Sequence, residues 1–419
     1  DEDFPLIGRA VSRAEFARLL AANPKNNALA APELPNLPDT GEAAEVVEGE
    51  VLEPAEESSG GFGEQVLQAA ERIALKEAYA PNNYIPPQDP APPRTPREKF
   101  AANITAIRTL KSIEKRMADG GPHANGEEQE ILAQYSGWGG LSDAFEPNKD
   151  SWHSEYTELK SLLTEEEYAA ARSSTLTAFY TPPEVIDAMY TALRKMGVGA
   201  GTILEPSMGV GAFFGQSHSY LYEPTTRLFG VELDSLTGRI ARQLYQKANI
   251  QITGFEKADL PDSFFDVVIG NVPFGDYSVV DPQYNRLHFK IHDYFFAKSI
   301  DKLRTGGIIA FVTTSGTLDK KSEEVRRYIN ARCDFIGAVR LPDSTFKSAG
   351  TKAMADIIFL QKRDRILEQD ASWLHTTQTE DGLSLNSYFA EHPEMVCGTL
   401  KTVSGPYGPT LTCEAFADK

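Results

Sequence analysis

The chain has 419 residues, of which 41% are hydrophobic, enough for two domains or for one large domain with extensions. No run approaches the roughly 18 uninterrupted apolar residues that a membrane helix needs, and no signal peptide opens the sequence. The formal net charge of −19 argues against a nucleic-acid binder unless the acidic residues are confined to one part of the chain.

The acidic excess is in fact confined to the two ends. Residues 1–93 carry 6 basic and 17 acidic side chains, and residues 366–419 carry 2 and 8. Residues 94–365 carry 33 and 35, so this central part is almost neutral. The charge distribution is therefore compatible with DNA as a partner of the central part.

The cysteines indicate the redox compartment of the protein, and the first residue bears on whether the sequence is a segment of a longer polypeptide. Cys333, Cys397 and Cys413 are odd in number and have no CxxC or Cys/His spacing, which predicts a reducing, cytoplasmic setting without structural zinc. The chain begins with Asp1 rather than Met, which favours a segment of a longer polypeptide. No GxxxxGK(S/T) motif occurs, so any helicase motor would lie outside this sequence.

Residues 1–96 are predicted to be short helices and a linker, largely disordered. A short amphipathic helix is expected at 11–22. Residues 39–57 contain eight carboxylates and no Lys or Arg, a composition typical of disorder. Residues 81–96 contain seven prolines and are expected to form an extended spacer. The globular part is therefore expected to begin near Arg97.

Residues 97–175 have a helical pattern and are predicted to form a helical domain with a GWGG motif. Thr164, followed by Glu167, has the form of a capping box at the start of the last of these helices. The motif segment is YSGWGGLSDAF, residues 135–145. Trp138 has two interpretations, stacking on a nucleic-acid base or packing in a buried turn. The predicted helices are 98–117, 126–135, 155–161 and 164–172.

Beyond Thr202 short β-branched runs alternate with amphipathic helices. Such a series predicts an α/β fold with a seven-stranded, doubly wound, mostly parallel sheet. The connection around the KSAG loop at 347–350 is too short for a helical crossover. The seventh strand is therefore expected to be antiparallel to its neighbour. The seven runs are 202–206, 227–233, 250–255, 265–271, 306–314, 334–342 and 356–362.

Open parallel sheets bind ligands beyond the carboxyl ends of their strands. The first run leads into LEPSMGVGAFF, in which Gly209 and Gly211 let the backbone approach a ligand and Glu205 places a carboxylate beside the turn. The next run ends near Glu232, which can accept both hydroxyls of a ribose. Both features suit a nicotinamide or flavin dinucleotide as well as S-adenosylmethionine.

The tetrapeptide NVPF, residues 271–274, favours S-adenosylmethionine. It follows FDVVIG and therefore lies at the carboxyl end of the fourth strand, over the same cleft. The Asn271 side-chain oxygen and the Val272 carbonyl can accept the two hydrogens of an aromatic amine, and Pro273 fixes the turn. Phe274 offers a flat face to a planar base. The alternative interpretation is a helix-starting turn with a buried Phe.

The ordered motifs of residues 175–365 resemble those of the gamma-order N6-adenine DNA methyltransferases. In that order a cofactor motif precedes the glycine-rich loop, as FYTPPEVIDAMY at 179–190 does here. NVPF resembles the family's (N/D/S)PP(Y/F/W) element, from which Val272 departs at the first proline. Because that position acts through its carbonyl, the departure concerns rigidity more than chemistry.

Two further blocks, 292–319 and 339–362, resemble type I modification subunits, and the GWGG segment resembles a signature of large methylase–helicase proteins of conjugative elements. The resemblance implies a methyltransferase domain at 176–365, followed by a C-terminal extension at 366–419. It implies an adenine-specific enzyme that takes its methyl group from S-adenosylmethionine and acts on a flipped adenine in DNA by direct attack, without a metal. It also implies a role in restriction–modification or in a mobile element, and a helicase region on the same polypeptide.

The resemblance implies a catalytic set and a cofactor set. The catalytic set is Asn271, Val272, Pro273 and Phe274. Tyr180, Thr181 and Pro182 are expected at the methionine end of the cofactor, Glu232 at the ribose and Asp259 at the adenine. The remaining expected cofactor contacts are Glu205, Pro206, Ser207, Gly209, Gly211, Phe213, Leu233 and Leu260.

Arg286, His288 and Lys290 are predicted to flank the DNA cleft, with Trp138 as a further candidate. The spacing of His288 and His292 suggests a metal site only weakly, because no third ligand is evident. Four alternatives stay open: methylation of RNA adenine, methylation of protein glutamine, a nicotinamide-dependent enzyme and a non-catalytic DNA-binding module of a helicase fusion. The third would leave NVPF unexplained, and the intact Asn271 argues against the fourth.

Overall fold

The computed structural model describes residues 3–6, 9–12, 79–87, 94–175, 180–347, 353–405 and 408–416. Strands β1 (Asp3–Leu6) and β2 (Arg9–Ser12) pair antiparallel. The helix predicted at 11–22 is therefore wrong at residues 11 and 12, because pairing with β1 holds them extended. Residues 13–22 lie outside the described residues, as does the acidic linker.

Residues 79–87, which overlap the proline-rich spacer predicted at 81–96, lie against the folded body. The Tyr84 N–H donates to the Leu244 carbonyl at 2.7 Å, and the Asn82 carbonyl accepts from the Gln246 N–H at 2.9 Å. An extended segment exposes its backbone groups, and a neighbouring helix end here satisfies them. The folded part therefore includes this segment, earlier in the chain than predicted.

Four helices of the N-terminal half confirm the helical pattern. α1 begins at a capping box, in which Thr95 accepts from the Glu98 N–H and Glu98 accepts from the Thr95 N–H at 2.7 Å. The capping box predicted at Thr164 and Glu167 is also present. The helices are α1 (Pro96–Ala118), α2 (Gly126–Leu132), α3 (His153–Leu162) and α4 (Glu165–Ser174).

Strands and helices alternate in the next part of the chain. In order they are α5 (Pro183–Lys195), β3 (Thr202–Glu205), α6 (Ala212–Ser217), β4 (Arg227–Glu232), α7 (Ser235–Leu244), β5 (Asn249–Ile252), β6 (Phe265–Asn271), α8 (Ile291–Lys302), β7 (Leu303–Thr314), α9 (Gly316–Asp319), α10 (Glu324–Arg332), β8 (Cys333–Leu341) and β9 (Ala355–Lys362). Each of the seven predicted runs coincides with one of the strands β3 to β9.

These strands form a seven-stranded sheet within the described residues, in the order β5-β4-β3-β6-β7-β9-β8. The pairs from β5 to β7 are parallel, and β9 is antiparallel to both β7 and β8. The predicted direction of the seventh strand is thus confirmed. The chain reverses its direction of winding between β3 and β6, so the ends of these two strands flank the topological switch point.

The helical region is fixed to the sheet through α7. Arg239 of α7 forms ion pairs with Glu114 at 2.9 Å and with Glu167 at 2.8 Å. The Gln129 side chain, 1% exposed, donates to the carbonyls of Gln243 and Leu244 at 2.9 and 3.2 Å. Since α7 directly follows β4, these contacts hold the helices beside the carboxyl end of that strand.

The C-terminal residues pack against the far edge of the sheet. Asn386, fully buried, donates to the carbonyls of Leu318 and Trp373, both at 2.9 Å. The Trp373 ring stacks on Phe335 of β8 with centroids 4.6 Å apart. The elements are β10 (Thr376–Gln378), β11 (Ser384–Asn386), α11 (Ser387–Glu391), β12 (Gly398–Gly405) and β13 (Gly408–Ala415).

Across the described ranges, none of the helices combines the length and the apolar character that crossing a membrane requires.

Candidate active site

The glycine-rich loop after β3 depends on two left-handed glycines. Gly209 has a φ of +54° and Gly211 a φ of +85°. A Cβ at Gly211 would lie 2.5 Å from Cε2 of the Tyr245 ring. Any larger residue would therefore combine backbone strain with a clash, so the loop can keep this path only with glycine. The loop passes directly over the carboxyl end of β3.

Glu205 is the last residue of β3 and is buried without a donor to one of its oxygens. Its side chain is 2% exposed, and Oε2 has no hydrogen-bond partner among the described residues. Burial, reinforced by the charge of Glu232, raises the pKa of this carboxyl well above its ordinary value. An orphaned buried acid beside a glycine-rich loop fits a cationic group of a ligand.

Glu232, the last residue of β4, joins its strand to the glycine-rich loop. Its Oε2 accepts from the Gly209 N–H and its Oε1 from the Asp234 N–H, both at 2.8 Å. Burial raises the pKa of this carboxyl to about 7, although these N–H donors oppose the shift. The neighbouring Leu233 is 76% exposed, an apolar face next to the acid.

Tyr180, Thr181 and Pro182 lie beside the same loop. Pro182 caps α5, and Thr181 is 7% exposed. The Tyr180 ring is so close to the loop that a Cβ on Gly209 would lie 2.9 Å from its Cε1 atom. The structure therefore brings the predicted methionine-end segment into contact with the glycine-rich loop.

The NVPF turn also meets the glycine-rich loop. The Ser207 hydroxyl donates to the Asn271 backbone carbonyl at 2.9 Å. The Asn271 side-chain amide forms no hydrogen bond with any described residue, and Phe274 is partly exposed beside the core. The Val272 N–H donates to the Val312 carbonyl at 3.1 Å, a bond that a proline at this position would lack.

The other predicted pocket residues divide by burial. Asp259 is exposed, and its backbone is fixed by Gln251, which accepts from the Asp259 N–H at 2.9 Å and donates to the Asp259 carbonyl at 2.6 Å. Phe213 and Leu260 lie in the core, 2% and 7% exposed, and Pro206 is also buried. These three side chains are therefore covered by other parts of the fold.

Three of the predicted DNA-contacting residues lie on one exposed loop, and Trp138 lies apart from them. Arg286, His288 and Lys290 are exposed on the loop between β6 and α8, where Lys290 pairs with Asp276 at 2.6 Å. The base-stacking role of Trp138 is wrong, because its ring is 1% exposed and packs in the helical region. The alternative interpretation of Trp138, a buried turn, is confirmed.

His292 lies in α8 and is 6% exposed, whereas His288 lies outside that helix on the preceding loop. Burial lowers the pKa of His292, which disfavours its charged form. No group of three or more His, Cys, Asp or Glu side chains in the described part of the chain is arranged to hold a metal ion.

Sequence reasoning missed two residues of the helical region that reach this site. Gly137 contacts the edge of the Tyr180 ring, and a Cβ there would lie 3.1 Å from Cε2. Tyr135 is 2% exposed, and burial together with the charges of Asp234 and Glu232 raises the pKa of its phenol. The segment YSGWGG was the available signal, but the sequence assigns a candidate role only to its tryptophan, Trp138.

Comparison with known proteins gives matches to a phage protein, to solved structures and to one protein family. The chain is 25% identical over 290 residues to Defense against restriction protein B of Escherichia phage P1. That alignment covers 68% of this chain, which spans only about 11% of the length of the phage protein.

The solved structures that match this chain include the type I restriction–modification methyltransferase subunit of Streptococcus thermophilus. It is 17% identical with a TM-score of 0.41, and the match covers 85% of this chain and 81% of that subunit. The M protein of the type I restriction enzyme EcoKI is 16% identical with a TM-score of 0.37, over 70% of this chain and 64% of that protein.

The model of one protein family, N-6 DNA Methylase, matches residues 162–386. The matched range is more than half of the chain and contains the glycine-rich loop, Glu232 and the NVPF turn. The chain is therefore a member of the N-6 DNA methylase family, a family of methyltransferases.

Proposed function

We propose that this protein is an S-adenosylmethionine-dependent methyltransferase that methylates the N6 amine of adenine in DNA. One observation supports this above the others: the Ser207 hydroxyl on the glycine-rich loop bonds to the carbonyl of Asn271 at 2.9 Å. The loop expected to hold the cofactor and the turn expected to hold the base are thus adjacent, at the switch point of a sheet of this class.

The residues around the glycine-rich loop fit S-adenosylmethionine. The orphaned carboxylate oxygen of Glu205 would accept from the ammonium group of the methionine end. Glu232 would accept from the ribose hydroxyls, and the exposed Leu233 would lie against the adenine ring. Gly209 and Gly211 let the loop pass close to the Tyr180 and Tyr245 rings, at positions where a side chain would clash with those rings. The exposed Asp259 is proposed to contact the adenine amine.

The chemistry that we propose for the NVPF turn is mostly positioning. When bound, S-adenosylmethionine supplies an electrophilic methyl group. The Asn271 amide oxygen and the Val272 carbonyl accept the hydrogens of the adenine N6 amine and orient its lone pair. Phe274, partly exposed, stacks on the base after it has left the duplex, which costs about a few kcal/mol. The amine needs no covalent enzyme intermediate.

We also propose the same division of the chain that the motifs suggest. The described helices α1 to α4 would form one domain, the sheet with its helices the methyltransferase domain, and the residues after β9 an extension. Arg286, His288 and Lys290 would contact the DNA backbone next to the NVPF turn. A helicase region on the same polypeptide is part of this proposal, as is a cytoplasmic setting.

The substrate class can be tested with tritiated S-adenosylmethionine in three separate incubations, with DNA, with RNA and with protein release factors. We expect label on DNA, and digestion of that DNA to nucleosides should give N6-methyladenosine in its deoxy form. Label on RNA or on protein alone would replace the proposed substrate with one of those two. Cofactor binding without label on any of the three would identify a non-catalytic module.

The raised pKa of Glu232 gives a second test, which compares wild type with Glu232→Gln. The ribose hydroxyls need the ionised carboxylate, and protonation near pH 7 removes it. We expect the ratio of the two dissociation constants for S-adenosylmethionine to be largest at pH 8. It should fall as the pH drops from 7 to 5 and approach one, as wild type becomes neutral like the variant.

Isothermal titration calorimetry at fixed ionic strength from pH 5 to pH 8 measures this ratio. Comparing matched proteins cancels the titration of the cofactor itself, because both proteins bind the same molecule. The charge of Glu232 also raises the pKa of Glu205, so both proteins are compared in a Glu205→Gln background, in which Glu205 does not titrate. A ratio that stays constant over this pH range would show that Glu232 does not act through its charge.

A further inference from the structure

The turn formed by residues 135–140 leaves space for the ring of Tyr180. Gly137 has a φ of +66°, and a Cβ there would lie 3.1 Å from Cε2 and 3.2 Å from the hydroxyl oxygen of Tyr180. A Cβ on Gly209 would lie 2.9 Å from Cε1, on the opposite side of the same ring. The tyrosine thus fits between two glycines, one in the helical region and one in the glycine-rich loop.

Buried contacts hold this turn in place. Asn103 of α1 is fully buried, donates to the Gly137 carbonyl at 2.6 Å and accepts from the Ser136 N–H at 2.9 Å. The Trp138 ring packs edge-on against Phe145 with centroids 5.4 Å apart. Because α1 and the aromatic cluster fix both ends of the turn, Gly137 cannot move away from Tyr180 at small cost.

Tyr135, at the start of the turn, has a buried hydroxyl that lies near the side chains of Thr237 and Trp138. Its side chain is 2% exposed, and its hydroxyl forms no hydrogen bond of good geometry with these or other described residues. Burial, with the charges of Asp234 and Glu232, raises the pKa of this phenol far above its ordinary value. The phenol therefore stays neutral and keeps its proton, so it can donate a hydrogen bond near the two acids.

We propose that the 135–140 turn is a second wall of the cofactor pocket, in which Gly137 seats Tyr180 against Gly209 and Tyr135 donates a hydrogen bond to the ligand held by Glu232. This rests on the proposed function. It gives the helical region a part in cofactor binding that is separate from any contact with DNA. Gly137 is a positioning residue, since it acts through Tyr180.

Gly137→Ala tests whether Gly137 positions the Tyr180 ring. The added methyl displaces the Tyr180 ring, and we expect the dissociation constant for S-adenosylmethionine to rise about tenfold or more. Gly120→Ala is the matched control: Gly120 also has a positive φ, +80°, but a Cβ there meets nothing within 4 Å. Both variants carry the same kind of backbone strain, so Gly120→Ala should bind the cofactor as wild type does.

The same substitution in a Tyr180→Ala background separates positioning from general structural damage. If Gly137 acts through Tyr180, the effect of Gly137→Ala on affinity should disappear once the ring is removed. An effect that persists without the ring would contradict the proposal that Gly137 positions Tyr180. Equal affinities of Gly137→Ala and Gly120→Ala would overturn it as well.

Tyr135→Phe tests whether the Tyr135 hydroxyl donates a hydrogen bond to the ligand. This variant also keeps the proposal testable if Gly137→Ala does not fold. It removes one oxygen that forms no hydrogen bond of good geometry with its neighbours Thr237 and Trp138, so the unfolding midpoint should change little. We expect the KM for S-adenosylmethionine to rise about three- to tenfold while kcat stays within a factor of two. An unchanged KM would overturn the role of Tyr135. A wild-type protein that does not bind S-adenosylmethionine would instead overturn the proposed function.

Discussion

Asn271→Ala is expected to reduce the rate of methyl transfer about a thousandfold while changing the dissociation constant for S-adenosylmethionine less than about threefold. The Asn271 side chain forms no hydrogen bond with the described residues, so its removal leaves the turn intact. What is lost is the acceptor that orients the target amine. Single-turnover rates with tritiated cofactor and DNA, with calorimetry for affinity, measure the two quantities.

Ser207→Ala is expected to reduce the rate of methyl transfer less than Asn271→Ala does. It removes only the hydroxyl that bonds to the Asn271 carbonyl, so the turn keeps its side chains and loses one fixed contact. We expect about a tenfold reduction in rate, between wild type and Asn271→Ala. Wild-type turnover in Asn271→Ala would show that the catalytic site lies elsewhere. A large loss of cofactor affinity would make Asn271 a binding residue instead.

The strands could be predicted because each one carries its own signal. Strand β6 is Phe265–Asn271, which is the predicted run, and its residues from 267 to 270 are all buried. A strand covered by helices on both faces must be apolar on both faces, so the sequence shows an uninterrupted apolar run. The antiparallel β9 followed from the short connection before it, which is again a local property.

The motif residues of the site could be predicted for the same reason. Glu205, Glu232 and Asn271 each end a strand of the sheet, and the carboxyl ends of neighbouring parallel strands meet at one edge. Once the strands were placed, the proximity of these side chains followed. Their pKa shifts did not, because burial depends on which atoms cover each carboxyl in the folded chain.

The contact of the 135–140 turn with Tyr180 could not be read from the residues. It depends on how the helical region docks on α7, through Arg239 and the buried Gln129. Such docking joins residues 72 and 114 positions apart and leaves no periodic pattern in either segment. The same limitation explains Trp138, whose burial is a consequence of packing between helices.

Arg340→Ala is expected to lower the free energy of unfolding by about 3 to 5 kcal/mol. Arg340 is 0% exposed, and it donates to both oxygens of Asp356 at 2.8 and 2.9 Å. It also pairs with Asp319 at 2.9 Å. Removing the guanidinium leaves two buried carboxylates without their counter-charge, which is far more costly than losing an exposed pair. Urea unfolding with an unchanged m-value measures the difference.

Arg108→Ala is the matched control, since Arg108 pairs with Glu158 at 2.8 Å, but Arg108 is exposed and Glu158 is only partly buried. We expect it to cost less than about 1 kcal/mol. Adding Asp356→Leu to Arg340→Ala should recover part of the loss, because one unpaired buried charge is then removed. A loss in Arg340→Ala no larger than that of Arg108→Ala would mean that water reaches the cluster. Apolar packing alone would then stabilise this edge of the sheet.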